Sequence, residues 1–363
     1  MSRFSKDDEF VTDLELASLD ITVRPAHDQF GIILDIDYPI RSAPLPKGWV
    51  RHLVERYGLV VIPRQNRLID DPSFFIASIR HVLADVTSSA NEDLATIEGH
   101  PQVQVLGSPN SAFAPNATFI PARAAETSDS LSNWLDDSIP CAVTDWHVDE
   151  PWEDSPVKFT LVLSARSSGP NSTLFASTAA LYERTNGEIK EKLEHSTTTF
   201  APPPWLPSEE GFEASHSTVQ RGPHGKSYYI CMDSTRCIDA FPNNDREAKE
   251  VIWNLTKSCT NPENVYRHQW SEGDLLIWDN TRTLHARSEY DESNVDRVLY
   301  RMRVFGKKEE VLADGERATR IVCCDESGDD ADGVLAEEKK ADTDGKVDRM
   351  KMMTRQRSSK HIQ

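Results

Sequence analysis

Basic side chains are scarce in this sequence of 363 residues, where 40 Lys and Arg stand against 59 Asp and Glu for a formal net charge of −19. A protein that binds the phosphate backbone of nucleic acid needs clustered Lys and Arg, and an anionic membrane surface attracts the same residues. The acid excess therefore argues against nucleic acid and membrane lipids as partners. No stretch approaches the roughly 18 consecutive apolar residues that a membrane-spanning helix needs.

Cysteine is also scarce, and no two cysteines form a CxxC pair. The six are Cys141, Cys231, Cys237, Cys259, Cys323 and Cys324. The first ten residues are polar and charged, without the apolar segment that a signal peptide carries. A chain of this length without an export signal does not fit a small secreted domain held by disulfides. The sequence therefore predicts free thiols and a cytoplasmic protein.

Glycine-rich phosphate-binding motifs are missing too, since the sequence has neither a GxGxxG segment nor a P-loop. Hydrophobic patterning predicts helices at Trp49–Tyr57, Phe74–Val86, Thr178–Leu193 with a break near Gly187, and Asp245–Ser258. It predicts strands at Gly58–Ile62, Val103–Leu106, Phe159–Leu163, Ser227–Met232, Asp274–Trp278 and Val298–Phe305. Long connecting segments separate these strands, and this pattern does not fit the repeated βαβ units of a Rossmann fold.

The ends of the chain differ from the middle in composition, which predicts three segments. Residues 1–18 are expected to form a flexible N-terminal segment, 19–314 one folded domain, and 315–363 a charged, disordered tail. Asp325–Asp348 carries ten acids against three bases, and Arg349–Gln363 carries five bases and no acid. Such charge blocks bury too little apolar surface to order themselves. A solvated helix packed on the domain is the alternative for the tail.

One histidine has a carboxylate two residues away. In an extended segment, His147 and Asp149 project to the same side, so they could hold one metal ion or simply hydrogen-bond at the surface. His285, which follows the predicted strand Asp274–Trp278, offers a third ligand. Two histidines and one carboxylate form the facial triad of non-haem Fe(II) oxygenases, which leaves positions open for a cosubstrate and O₂. A structural zinc site would instead want four ligands, usually with thiolates.

Three arginines share one side of the predicted strand Val298–Phe305 and the residue before it. Arg297, Arg301 and Arg303 have the same strand parity, and Arg is almost never fully buried without a partner. An inward row of arginines fits a pocket that binds carboxylates through bidentate guanidinium contacts. The alternative is an amphipathic strand with a solvated basic side.

Taken together, these motifs resemble the taurine dioxygenase (TauD/TfdA) family. The similarity covers roughly Leu19 to Gly306. It follows the order His147-x-Asp149, Gly169–Phe175, Trp278-Asp279-Asn280, His285 and Arg297. The resemblance implies a mainly β fold with flanking helices around a double-stranded β-helix, or jelly-roll, core. It further implies an Fe(II)- and 2-oxoglutarate-dependent dioxygenase with iron on His147, Asp149 and His285, and 2-oxoglutarate on Thr173 and Arg297.

The resemblance also bears on the reaction and the substrate. Family members that halogenate lack the metal carboxylate, so the presence of Asp149 favours oxidation of a C–H bond with O₂. Arg301 matches the family arginine that pairs with the substrate, which implies a small anionic molecule such as an amino acid or a sulfonate. The segment Thr87–Ala90 stands where the taurine branch has His-Pro-x-Tyr, which argues against taurine itself.

A cupin-like metal protein without oxygenase activity, either an isomerase or a binding module, is the alternative function. Arg297 and Thr173 argue against it, because such a protein needs no residues to hold 2-oxoglutarate. The sequence leaves homo-oligomerisation open.

Overall fold

A computed structural model describes most of the central part of the chain. The described residues are 21–40, 47–83, 95–107, 111, 114, 116–117, 146–169, 171–203, 212–242, 244–288, 296–308 and 321–323. The predicted flexible segment 1–18 lies outside them, as does the predicted tail 315–363 apart from the short strand Ile321–Cys323. Within the described part, no helix has the length and apolar character needed to cross a membrane.

Six α-helices and seventeen strands are described. The helices are α1 Trp49–Tyr57, α2 Arg67–Asp70, α3 Pro72–Val82, α4 Thr178–Arg184, α5 Gly187–Glu194 and α6 Asp245–Cys259, followed by a 3₁₀ turn at Pro262–Asn264. The strands are β1 Thr22–Pro25, β2 Ile32–Asp35, β3 Leu59–Ile62, β4 Thr96–Ile97, β5 His100–Gly107, β6 Val157–Ser168, β7 Ser172–Ser177, β8 Thr197–Phe200, β9 Ala214–Ser217, β10 Val219–Gly222, β11 Gly225–Tyr228, β12 Thr235–Ile238, β13 Val265–Gln269, β14 Leu275–Asp279, β15 Thr283–Arg287, β16 Asp296–Lys308 and β17 Ile321–Cys323.

One strand ends earlier than its sequence pattern predicts. The apolar run Ser227–Met232 predicts a strand throughout, but β11 stops at Tyr228. A hydrogen-bonded turn follows at 231–235, where the Thr235 N–H donates to the carbonyl of Cys231 at 3.0 Å. Residues 229–232 are apolar because they pack into a hydrophobic core, a role that strand periodicity cannot distinguish from sheet pairing.

The largest sheet has the strand order β1-β2-β3-β14-β6-β16-β5-β4, with β17 paired to β16. Its pairs are antiparallel except for β2 with β3. Along β14, Leu275 and Ile277 pack on one face with helices α1 and α3, while Leu276 and Trp278 pack on the other. Both faces of the central strands are therefore covered, which explains their nearly continuous apolar sequence.

A second sheet lies against the inner face of the first. It is three-stranded, in the order β13-β7-β15, and Phe175 of β7 packs with Val162, Leu276 and Trp278 of the large sheet. Two further sheets, the three-stranded β12-β8-β9 and the two-stranded β10-β11, are also described. The space between the large sheet and the three-stranded sheet is where the polar residues singled out by the sequence meet.

Candidate metal centre

Two histidines that are far apart in the sequence lie directly opposite each other across a backbone bridge. The His147 N–H donates to the His285 carbonyl, and the His285 N–H donates to the His147 carbonyl, each at 2.9 Å. Directly opposed residues of an antiparallel pair place their side chains on the same face. The two imidazole centroids are accordingly 4.2 Å apart.

Asp149 joins the two histidines because its segment is extended, so that it projects to the same side as His147. Val148, between them, points the other way and is buried. The Thr160 hydroxyl donates to Asp149 Oδ2 at 2.6 Å. This bond occupies one carboxylate oxygen and leaves Oδ1 facing the imidazoles.

The donor atoms of the three side chains converge. Asp149 Oδ1 lies 3.7 Å from His285 Nε2 and 4.0 Å from His147 Nε2, and all three donors lie within 4.8 Å of one another. Two ligand atoms that each lie about 2.0–2.2 Å from an ion, with a right angle between them at the ion, are about 3 Å apart. A side-chain movement of about 1 Å would therefore bring the three donor atoms into coordination distance of one ion. Two imidazoles with one carboxylate oxygen match the donor types of a facial triad.

The charges around the triad favour its metal-binding protonation states. Burial would raise the pKa of Asp149, but His285, Arg301 and His147, with the Thr160 hydrogen bond, hold it below its usual value. Burial, followed by the neighbouring His147, lowers the pKa of His285 to about 3. Near neutral pH the site therefore holds a carboxylate and a neutral His285 imidazole, whose lone pair is available to a cation.

Asn280 holds the backbone of Asp149 in place. Its Oδ1 accepts the Asp149 N–H at 2.9 Å, and its Nδ2 donates to the carbonyls of Asp149 at 2.9 Å and Val157 at 3.1 Å. Asn280 is fully buried in the turn between β14 and β15, next to the buried ion pair of Lys158 and Asp279 at 2.7 Å. One amide thus ties the turn that leads to His285 to the segment that carries Asp149.

Changing Asn280 to Asp should weaken metal binding, because the carboxylate keeps the acceptor and loses both donated bonds. It also brings a second negative charge close to Asp149. Loss of groups that orient metal ligands costs roughly 10–100-fold in affinity, and we expect a decrease in that range. Mn(II) titration of N280D and of N254D, a matched change at an exposed position of α6, measures it. Equal affinities in the two variants would contradict the role of Asn280.

Trp270 contacts both Thr173 and the serine that is opposite Arg297. The Trp270 indole N–H donates to Thr173 Oγ1 at 2.9 Å, and the Trp270 carbonyl accepts the Ser167 hydroxyl at 3.1 Å. Ser167 is directly opposite Arg297 across β6 and β16, and Arg297 is 9% exposed. Of the two residues that the sequence singles out for 2-oxoglutarate, Thr173 therefore contacts the buried Trp270 directly, and Arg297 is opposite a serine that contacts the Trp270 backbone.

Thr173 lies on β7, the strand that pairs with the His285 strand β15. His285 is opposite Phe175 in the β7–β15 pair, and Thr173 is two residues farther on the same face, about 7 Å along the strand. Its oxygen already accepts the Trp270 N–H, which leaves the hydroxyl proton to donate to an anion. Such a spacing suits a short diacid with one end at the metal.

Arg301 reaches the triad rather than the protein surface. Its Nη1 lies 3.4 Å from Asp149 Oδ1, and its Nε donates to Gln104 Oε1 at 2.7 Å. Arg303, two residues farther on the same face, is 5% exposed and forms an ion pair with Glu150. The arginine row therefore faces inward, and the alternative of a solvated basic face is wrong.

Several residues that contact the triad or the arginines could not be identified from a sequence pattern. Thr160 and Gln104 sit in strands that read as apolar or mixed, and the Arg303–Glu150 pair joins positions far apart in the chain. Glu150 has a left-handed backbone, with φ of 44°, so the chain turns directly after Asp149. The one available hint was Asn280, which lies two residues after the predicted strand Asp274–Trp278 and precedes His285.

Two facing sheets with a His-Asp-His set between them define a β-sandwich protein with a candidate metal site between its layers. The family model of the taurine catabolism dioxygenase TauD, TfdA family matches residues 22–303. The chain belongs to this family of 2-oxoglutarate-dependent dioxygenases.

Solved structures share the fold. A taurine dioxygenase from Burkholderia xenovorans superposes with a TM-score of 0.59 at 18% identity, covering 79% of this chain and 91% of that one. AAD-2, solved with Mn(II) and N-oxalylglycine, superposes with a TM-score of 0.56 at 21% identity, covering 80% and 99%. The expected jelly-roll core with flanking helices is confirmed.

Curated relatives match over shorter stretches. Pentalenolactone F synthase from Streptomyces arenae is 27% identical over 192 residues, which are 44% of this chain and 63% of that protein. The α-ketoglutarate-dependent 2,4-dichlorophenoxyacetate dioxygenase from Burkholderia sp. (strain RASC) is 37% identical over 62 residues, 17% of this chain and 20% of that protein. The chain thus spans less than two thirds of the length of these relatives.

Proposed function

We propose that this protein is an Fe(II)- and 2-oxoglutarate-dependent dioxygenase that oxidises a C–H bond of a small anionic molecule. The observation that carries the proposal is the convergence of His147, Asp149 and His285 on the inner face, within 4.8 Å of one another. Family membership supports the cosubstrate, and the donor types support Fe(II).

Each protein group has a task in this reaction. Fe(II) with 2-oxoglutarate and O₂ would supply the oxidant for C–H cleavage, with succinate and CO₂ as co-products. His147, Asp149 and His285 would hold the ion on one side and leave the other side open. Thr160 keeps Asp149 Oδ1 turned towards the ion by holding Oδ2.

The cosubstrate would lie along β7 towards the region of Trp270. Arg297 would pair with the distal carboxylate of 2-oxoglutarate through its planar guanidinium, and Thr173 would add one hydroxyl hydrogen bond. The buried rings of Phe175 and Trp278, which contact His285 at centroid distances of 6.3 and 4.9 Å, exclude water from this side of the triad.

Substitution of Thr173 by Val should weaken 2-oxoglutarate binding modestly. Removal of one hydroxyl hydrogen bond costs on the order of 1 kcal/mol, or roughly five-fold in the KM for 2-oxoglutarate. The measurement is the KM in T173V against T22V, which removes an exposed hydroxyl of β1. An unchanged KM would show that the Thr173 hydroxyl does not contact the cosubstrate.

The substrate is expected to be an anion because Arg301 lies within reach of the triad. Relatives are named for aryloxy carboxylates and, in an alkylsulfatase from Acinetobacter baylyi, for a sulfate ester. Amino acids and sulfonates belong to the same charge class. Hydroxylation, desaturation and ring closure all start with removal of one hydrogen from the substrate.

A succinate-release assay tests the proposal. The purified protein with Fe(II), ascorbate and 2-oxoglutarate should release succinate, and one member of a panel of amino acids, carboxylates, sulfonates and sulfate esters should increase the rate. Metal binding without succinate release across the panel would favour the cupin-like alternative instead.

A further inference from the structure

Gln104 carries a buried amide group that the proposed reaction does not yet use. It lies on β5 directly opposite Arg301 of β16, and it is 3% exposed. Its Oε1 accepts the Arg301 Nε–H at 2.7 Å, whereas its Nε2 has no hydrogen-bond partner in the part of the chain that the structure describes. A buried amide left without a partner costs roughly 1–3 kcal/mol, so an acceptor is expected to bind it.

The position of Gln104 in the sheet shows which side the amide faces. Directly opposed residues of neighbouring antiparallel strands share a face, and Arg301 is opposite both Gln104 of β5 and Val162 of β6. Val162 packs in the core between the two sheets, and Arg301 Nη1 lies 3.4 Å from Asp149 Oδ1. Gln104 is therefore on the inner face, in the same row as the arginine that reaches the triad.

We propose that Gln104 and Arg301 together bind a carboxylate of the substrate. The Gln104 Nε2–H₂ group would donate to one oxygen and the Arg301 guanidinium to the other. The proposal rests on the proposed dioxygenase function and specifies its substrate class. The Arg301–Gln104 bond fixes the two donor groups side by side on adjacent strands, where they match the two oxygens of a carboxylate. A sulfonate or sulfate brings a third oxygen, for which this pair of groups does not provide a separate donor.

Charge reversal at the amide tests this assignment. Q104E keeps the oxygen that accepts from Arg301 but places a carboxylate where the donor was. We expect the affinity for a carboxylate substrate to fall on the order of 100-fold, because like charges placed together cost several kcal/mol. A primary amide of the same acid should lose much less, since its N–H₂ group can donate to the new carboxylate.

The experiment is anaerobic calorimetry on protein loaded with Fe(II) and 2-oxoglutarate. The probes are aliphatic, aryl and aryloxy carboxylates, each matched with its primary amide and its sulfonate. Q102E is the matched control, because Gln102 is two residues away on the same strand and face and lies outside the β5–β16 pairing. Q104M is the second variant, which removes the amide without adding charge and should cost about five-fold.

Wild type and Q102E should bind the best carboxylate at least tenfold more tightly than its amide and its sulfonate, and Q104E should lose that preference. The same carboxylate-to-amide ratio in Q104E and wild type would overturn the proposal, as would a panel without any carboxylate preference in wild type. These outcomes are separable from failure of the dioxygenase proposal, which would appear as absence of 2-oxoglutarate consumption by wild type.

Discussion

Replacing His147 by Ala should remove both metal binding and turnover. Loss of groups that only orient metal ligands costs 10–100-fold, so loss of a ligand should cost more than roughly 100-fold in metal affinity. Asp149 and His285 alone would fix only two of the three positions on one face of the ion. His147 is the suitable ligand to remove because its side chain is 39% exposed, so truncation leaves little buried cavity.

The measurement combines the metal content of the purified variant with succinate release. H195A is the control, since His195 is an exposed histidine at the end of α5. It should keep the metal and the activity of wild type, and the two variants should melt at similar temperatures. An H147A protein that binds Fe(II) as wild type does would rule out His147 as a ligand.

Replacing Arg297 by Ala should raise the 2-oxoglutarate requirement strongly and leave metal binding largely intact. Arg297 is 9% exposed, so the proposed pair between its guanidinium and the 2-oxoglutarate carboxylate would form in a site that holds little water. Loss of one partner of such a pair costs roughly 2–5 kcal/mol, which is about 30-fold to several thousand-fold in KM. R297K keeps the positive charge but loses the planar guanidinium with its two parallel donors. We therefore expect its KM for 2-oxoglutarate to lie between those of wild type and R297A.

The KM for 2-oxoglutarate and the affinity for Mn(II) should be measured on the same preparations. R267A is the control, because Arg267 is an exposed arginine on β13, a strand of the opposing sheet. Equal KM values in R297A and R267A would reject a contact between Arg297 and the cosubstrate. A parallel loss of Mn(II) affinity would show that Arg297 supports the metal centre instead.

Strand periodicity predicts part of the site for a physical reason. His147 and Asp149 project together because residues i and i+2 of an extended segment share a face, and the same rule aligns Arg301 with Arg303. Both inferences need only local geometry. The arginine row is confirmed by its register with β6, where Arg301 is opposite Val162 and Arg303 is opposite Thr160.

The partners of these residues depend on contacts between distant segments. Asn280 holds Asp149 across 131 residues, and Gln104 lies 197 residues from Arg301 in sequence. Only the order of strands in the sheet brings such positions together, and local periodicity carries no information on that order. The early end of β11 has a related cause, since core packing and sheet pairing select the same apolar residues.

A crystal structure of the protein with Mn(II) and N-oxalylglycine tests the central claim most directly. The account predicts one ion bound by His147 Nε2, Asp149 Oδ1 and His285 Nε2, with the free carboxylate of N-oxalylglycine against Arg297 and the Thr173 hydroxyl. An ion bound elsewhere, or a carboxylate that points away from Arg297, would contradict it.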